Sequence, residues 1–225
     1  DWQNNRQKAE VEVVKKEKDS DRVLEGAVFA LCAKNDITGA DGKVILEADT
    51  VIEELATDKE GKLTFTADLP IGFEYYIKET SPAPGFATTD ETQEFTFEYG
   101  GAEKEKISYS FTFEDEPTVI EITKTSLTDG KELEGAKLQV TDESGKVVDS
   151  WISGKEAHII KELVVGQKYT LTETKPADGF VTAESITFTV EDTVEAQKIE
   201  MKDDVTKVEI SKTDISGKEL PCAKL

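Results

Sequence analysis

Short runs of alternating apolar and polar residues occur along the whole chain. Residues 120–124 (IEITK) and 169–173 (YTLTE) place every second side chain on one face, which is typical of a half-buried strand. Turn dipeptides such as Asp129-Gly130 separate these runs at short intervals. Long amphipathic helices are not evident, and at residues 47–57 β-branched side chains favour strand over helix. The pattern therefore predicts an all-β chain built of β-sandwiches.

The chain also repeats its own sequence. An opening motif occurs at residues 11–15, 120–124 and 208–212, and a Glu-Thr dipeptide leading to a proline loop and Gly-Phe occurs at 79–86 and 173–180. Repetition at such a long period predicts an array of similar modules, and the abrupt ends suggest a piece of a longer protein. We predict four segments: a linker or end of a preceding module (1–10), a first domain (11–117), a second domain (118–205) and the opening strands of a truncated third repeat (206–225).

Each module places three charged residues in rows of apolar side chains. Side chains two positions apart share a face of a strand, and the residues two and four positions before each of these charges are apolar. The six are Lys15, Glu79 and Asp115 in the first module, and Lys124, Glu173 and Asp203 in the second. A bare charge in a core is costly, so the repeated phase predicts one shared site per module. The alternative is that they lie at strand ends, reaching solvent or forming ordinary salt bridges.

A buried lysine beside two carboxyls can form an amide. Burial disfavours the ammonium form of a lysine and the ionised form of a carboxyl. The neutral amine then attacks the aspartate carbonyl, while the glutamate shuttles protons and stabilises the charge that develops on oxygen. Water leaves and an isopeptide bond remains. Proximity matters most, because amide formation in water is unfavourable and slow without a held geometry. Because such a site reacts once, the chain is predicted not to be an enzyme.

Two families resemble the two modules. The second module resembles the B-type domain of collagen adhesins (Cna B-type) at residues 131–133 (KEL), 150–153 (SWIS), 169–174 (YTLTET) and 201–203 (MKD). The first is similar to the SpaA-type pilin domain at residues 26–31 (GAVFAL), 76–80 (YIKET) and 84–86 (PGF). The resemblance implies tandem immunoglobulin-like, prealbumin-like β-sandwiches over most of the chain.

The resemblance also implies roles for the six residues. In the family a lysine on the first strand bonds to Asn or Asp on the last, helped by an acidic residue between them. Carried over by motif, the crosslinks are Lys15–Asp115 and Lys124–Asp203, with Glu79 and Glu173 as proton shuttles. Both sites have Asp where many relatives have Asn. Lys16 shares the phase of Glu12 and Val14, which favours Lys15 as the nucleophile, and Lys212 is the corresponding candidate in the third repeat.

The family resemblance further implies a role at a cell surface. We expect a stalk or spacer region of a secreted, cell-wall-anchored adhesin or pilin of a Gram-positive bacterium. Its expected partners are the neighbouring repeat domains of the same chain, and we expect a monomer. An alternative is a module that binds a host extracellular matrix protein through the longer first domain, at about residues 35–62.

Charge and composition exclude several other functions. A formal net charge of −21 over 225 residues opposes binding to nucleic acid or to an anionic membrane. His158 is the only histidine, which leaves no His-based triad and few zinc sites, and no EF-hand spacing occurs, so we predict neither cofactor nor metal. Cys32 and Cys222 lie too far apart in sequence for a small disulfide framework. We expect Cys32 to be a semi-exposed thiol.

Overall fold

The computed structural model describes residues 7–208 and 210–219, and within them every regular element is a β-strand. This confirms the all-β prediction. The first nine strands are β1 (Lys8–Glu17), β2 (Val28–Ala33), β3 (Ile37–Thr38), β4 (Val44–Leu46), β5 (Val51–Ala56), β6 (Lys62–Phe65), β7 (Glu74–Ser81), β8 (Thr92–Thr96) and β9 (Lys106–Asp115). The next seven are β10 (Val119–Ser126), β11 (Lys137–Asp142), β12 (Val147–Ile152), β13 (His158–Lys161), β14 (Lys168–Lys175), β15 (Ile186–Thr189) and β16 (Gln197–Asp203).

Strands β1 to β9 form two main sheets, ordered β6-β1-β9 and β5-β2-β7-β8. The first strand of the domain lies parallel to the last, in a register that runs from Lys8 opposite Lys106 to Glu17 opposite Asp115. Because alternate side chains point to the same face, the inward rows of both sheets form one apolar core. Its buried members include Val13, Phe29, Ile77, Tyr75 and Phe113.

Strands β10 to β16 repeat this arrangement. Their sheets are ordered β13-β10-β16 and β12-β11-β14-β15, so the first strand again lies beside the last, and the glutamate strand lies in the other sheet. The first domain has in addition the short hairpin β3-β4, which accounts for its greater length. The internal sequence repeat thus corresponds to a repeated strand order.

The first strand begins earlier than the sequence pattern indicates. Strand β1 starts at Lys8, before the predicted boundary at Val11, and Ala9 belongs to the first core with 5% of its surface exposed. The pairing of Lys8 with Lys106 extends the strand, and such pairing depends on a segment about 100 residues away, which local alternation does not reveal.

The prediction of a semi-exposed Cys32 is wrong. The residue is fully buried, and its strand β2 lies between β5 and β7. Burial raises the pKa of Cys32, against a smaller lowering influence of Tyr76, which pairs with it on β7. Cys222 lies outside the described residues.

The predicted opening strand of the third repeat is not a strand in the described residues 206–208 and 210–219. Val208 and Ile210 are 80% and 70% exposed, and pairing there is limited to an isolated bridge between Thr213 and Glu219. In the first domain the corresponding strand pairs with β6 and β9, far along the chain. The described residues 206–208 and 210–219 contain no such partner strand, and an alternating pattern without a partner strand does not form a stable strand.

The described part of the chain has no helix that is long and apolar enough to cross a membrane.

Candidate functional site

The first site joins three strands in the core of the first domain. Lys15 on β1 and Asp115 on β9 come from adjacent parallel strands, and Glu79 comes from β7 in the other sheet. Lys15 Nζ lies 2.5 Å from Asp115 Oδ1 and 3.0 Å from Glu79 Oε1. All three side chains have 0% of their surface exposed. The structure therefore brings together the three residues that the strand phase selects.

The second site repeats this geometry. Lys124 on β10 forms a direct ion pair with Asp203 on β16, and Lys124 Nζ lies 3.0 Å from Oε1 of Glu173 on β14. The side chains are 1% exposed for the lysine and 0% for both carboxylates. Such burial does not fit side chains that reach solvent, which was one form of the alternative considered from the sequence. The contacts are ion pairs, as in its other form, but they are buried in both domains.

Each site holds two carboxylate oxygens without a hydrogen-bond partner. Within the described ranges, the buried side-chain atoms that lack one are Glu79 Oε1, Asp115 Oδ2, Glu173 Oε1 and Asp203 Oδ2. The two glutamate Oε1 atoms accept no hydrogen bond but are ion-paired with a lysine Nζ at 3.0 Å. Leaving a buried acceptor unsatisfied costs about 1–3 kcal/mol, and more for a charged group. A proton on one carboxyl of each pair would remove part of this cost, because the other carboxyl can accept it.

Burial favours the protonated form of Glu79, Asp115 and Asp203. Loss of solvent raises the pKa of Glu79 to about 7, against the opposing charge of Lys15. Burial also raises the pKa of Asp115, and it raises the pKa of Asp203, where the nearby charge of Glu173 adds to the effect. Carboxyls that hold a proton near neutral pH are suited to proton transfer.

Aromatic rings cover the first lysine. The Lys15 ammonium lies 5.3 Å from the centre of the Phe29 ring, and the Phe29 and Phe113 rings lie 4.9 Å apart. Both rings are fully buried. In a site without bulk water, a charge–charge or hydrogen-bond interaction is stronger than at the surface.

A family model described as the SpaA prealbumin-like fold domain matches the chain twice, at residues 9–112 and 118–205. The chain belongs to this family. Both domains contain a complete lysine–glutamate–aspartate site, although Asp115 lies three residues beyond the first matched range. The resemblance to pilin-type prealbumin-like domains, stated from the sequence, is thereby confirmed.

Several solved structures are similar to the chain. The Bacillus anthracis TIE protein is 22% identical with a TM-score of 0.48, over 95% of this chain and 40% of that one. Shaft pilin SpaA from Lactobacillus rhamnosus GG is 15% identical with a TM-score of 0.38, over 90% and 100%. A streptococcal ancillary pilin is 22% identical with a TM-score of 0.36, over 87% and 62%. No curated protein matches the chain.

Two other lysines lie outside the two sites of the SpaA prealbumin-like domains. Lys16 is half-buried and follows Lys15, so its side chain leaves β1 on the opposite face. Lys212 is exposed, and within the described residues the structure places no pair of carboxylates against it. Neither lysine has the surroundings of Lys15 or Lys124.

Two backbone amides at the sites were missed in the sequence analysis. Thr89 N–H donates to Glu79 Oε2 at 2.9 Å, and Ala183 N–H donates to Glu173 Oε2 at 2.7 Å. A main-chain donor has no side-chain signature, so residue type does not reveal it. The repeated proline loop after each glutamate was the available signal, because in both SpaA prealbumin-like domains the donor lies ten residues beyond the glutamate.

Proposed function

We propose that the chain is a stalk segment of a pilus or surface adhesin, in which each SpaA prealbumin-like domain closes itself with a Lys–Asp isopeptide bond. The supporting observation is a lysine amine held against an aspartate carboxyl in a fully buried site with an adjacent glutamate, found twice in one chain. The proposed location is the surface of a Gram-positive bacterium, by analogy with pilins.

The proposed reaction is a single condensation. In the first domain, the neutral amine of Lys15 attacks Cγ of Asp115, which starts as the carboxylic acid. Glu79 takes one proton from the attacking nitrogen and passes one proton to the hydroxyl oxygen that departs. The C–O bond breaks, the C–N bond remains and one water leaves. Lys124, Asp203 and Glu173 follow the same steps in the second domain.

The bond would tie the first strand of each domain to the last. The residues joined are 100 positions apart in the first domain and 79 apart in the second. By the loop-entropy model used for disulfides, closing loops of this length stabilises a domain by about 4–5 kcal/mol. Unlike a disulfide, an amide does not break under reducing conditions. A spacer built this way would resist tension and proteolysis.

Intact mass spectrometry of the denatured chain tests the proposal. We expect a mass lower than the sequence mass by two waters, one for each bond. Glu79→Ala and Glu173→Ala should each restore one water, because each removes one proton shuttle. Glu121→Ala, on the strand of Lys124 but outside the site, is the matched control and should leave both waters lost. A wild-type mass equal to the sequence mass would leave only buried ion pairs.

A second candidate function is binding of a host matrix protein by the first domain. The favouring observation is the extra hairpin β3-β4, whose Val44 and Ile45 are 49% and 70% exposed. Replacing both side chains by Ser should then abolish adhesion to a matrix-coated surface while both waters are still lost. Unchanged adhesion, or its absence in the wild type, would leave the spacer role alone.

A further inference from the structure

A loop follows the glutamate strand in each domain, at residues 82–89 and 176–183, and we call it the clasp loop. Its far end holds the glutamate, since the Thr89 or Ala183 amide donates to Oε2. The other oxygen, Oε1, is the one that lies 3.0 Å from the lysine Nζ in both domains. The amide therefore fixes which carboxylate oxygen faces the amine.

The middle of the first clasp loop holds the chain that follows Asp115. Ala87 N–H donates to Glu116 O at 3.0 Å, and Thr118 N–H donates to Gly85 O at 3.0 Å. These two bonds surround the antiparallel bridge between Phe86 and Pro117. One loop is thus bonded both to the glutamate and to the segment immediately after the aspartate.

The second clasp loop makes the same main-chain hydrogen bonds, although the residues that make them differ. Val181 N–H donates to Asp204 O at 2.9 Å, and Thr206 N–H donates to Gly179 O at 2.9 Å, around the bridge between Phe180 and Val205. These bonds involve only the main chain, so they persist although Ala87 and Val181 differ. Their recurrence in both domains indicates a common requirement of the site.

Each clasp loop turns at a glycine in the left-handed region. Gly85 has φ 91° and Gly179 has φ 87°, a conformation that costs a residue with a Cβ about 1–2 kcal/mol. The turn lets one short loop reach both the glutamate and the exit segment. A Cβ at Gly179 would meet no atom within 4 Å, so backbone conformation is what its replacement would test.

We propose that the clasp loop is a positioning element for isopeptide formation, whose terminal amide orients the glutamate while its middle holds the chain after the aspartate. This inference rests on the proposed function. Strands β7 and β9, like β14 and β16, belong to different sheets, so the loop fixes the glutamate relative to the aspartate across the core. A misplacement of about 1 Å can slow such a reaction about a hundredfold.

The test follows water loss with time in the full chain. The protein is made by cell-free synthesis, samples are denatured at intervals, and intact mass reports the fraction with zero, one or two waters lost. Ala183→Pro removes the amide donor to Glu173, whereas Ala183→Ser keeps it. We expect Ala183→Pro to slow the second-domain condensation about tenfold or more, because that factor corresponds to the loss of one hydrogen bond to a charged group. Ala183→Ser should react like the wild type.

The unchanged first domain is an internal control for the rate of condensation in every sample. Peptide mapping assigns each lost water to a domain, so a general effect on synthesis or folding would slow both. The stability of Ala183→Pro and Ala183→Ser is compared in a Glu173→Ala background, where no second bond forms. Slow condensation at a temperature where both unreacted forms are folded separates positioning from simple loss of structure.

A glycine pair provides an independent variant should Ala183→Pro not fold. Gly179→Ala strains the backbone of the clasp loop. Gly166→Ala is the control, since it strains the backbone just before β14, where φ is 76° and a Cβ again meets nothing within 4 Å. Only Gly179→Ala should slow the second-domain condensation. Wild-type rates in both Ala183→Pro and Gly179→Ala would overturn the clasp loop's role. Absence of water loss in the wild type would instead overturn the proposed function.

Discussion

At the residue scale, the protonation of Glu79 shows how burial sets the chemistry of the first site. Desolvation is the largest influence and raises the pKa of this carboxyl to about 7, while Lys15 and the Thr89 amide favour the ionised form. Asp115 faces the same carboxyl and opposes its ionisation. The lysine is therefore what keeps two buried carboxyls tolerable together.

Removing that lysine should invert the usual dependence of stability on pH. In Lys15→Met no crosslink forms. The pKa of Glu79 rises further, because the positive charge that favours its ionised form is lost. A carboxyl whose folded pKa lies above its unfolded value binds more protons in the folded state, so stability falls as pH rises between the two values. We expect the free energy of unfolding of the first domain to fall between pH 4.5 and a pH above 7, by up to about 1.4 kcal/mol per pH unit for each such carboxyl. The melting temperature of the first domain should fall with it.

Calorimetry of Lys15→Met across this pH range measures the effect. Lys16→Met is the control, since it retains Lys15, Glu79 and Asp115. The first-domain transition is the one that differs between the two variants. A melting temperature of Lys15→Met that is flat or rises with pH would show that Glu79 is not held in a desolvated site.

At the element scale, the two-residue period of β1 decides which lysine enters the core. Lys15 pairs with Phe113 and Lys16 with Glu114 along the parallel ladder. The alternate residues Val11 and Val13 are 1% and 0% exposed and lead directly to Lys15, which is itself 0% exposed. Two consecutive lysines therefore have opposite environments.

Substituting these neighbouring lysines one at a time should separate their roles. Lys15→Ala removes the nucleophile, so the denatured chain should have lost one water instead of two. Lys16→Ala changes the opposite face, and both waters should still be lost. The two variants have the same composition and the same sequence mass, so intact mass compares them directly. Full water loss in Lys15→Ala would refute the assignment of this lysine.

At the scale of the whole molecule, the proposed bonds decide how much of each domain can extend under force. The lysine and aspartate strands are neighbours in one sheet in both domains. A covalent link between them carries tension from one strand to the other, and the chain enclosed between the joined residues bears none.

Single-molecule pulling of the full chain should therefore show no long extension steps in the wild type. In Glu79→Ala the chain between the joined residues, which are 100 positions apart, becomes extensible and adds roughly 340 Å. In Glu173→Ala the corresponding separation of 79 positions adds roughly 270 Å. Because the two lengths differ, each step identifies its domain. Such steps in the wild type, at the same lengths, would contradict the proposed crosslinks.

The sequence by itself determined the strand class, the repeat and the six inward charges. Alternation has a period of two, and a charge in phase with buried residues such as Tyr75 and Ile77 is placed by that period alone. Lys15, Glu79 and Asp115 were therefore predictable as a group. Composition also limited the chemistry, because one histidine and a charge of −21 leave few other functions.

Only the tertiary structure decided which groups surround each residue. The burial of Cys32 depends on the strands β5 and β7 that flank β2, and the start of β1 at Lys8 depends on pairing about 100 residues away. The amides of Thr89 and Ala183 were invisible for a different reason, since every residue but proline carries the same donor. Local pattern reports which face a side chain takes, whereas long-range pairing decides which groups share that face, and this requires the folded chain.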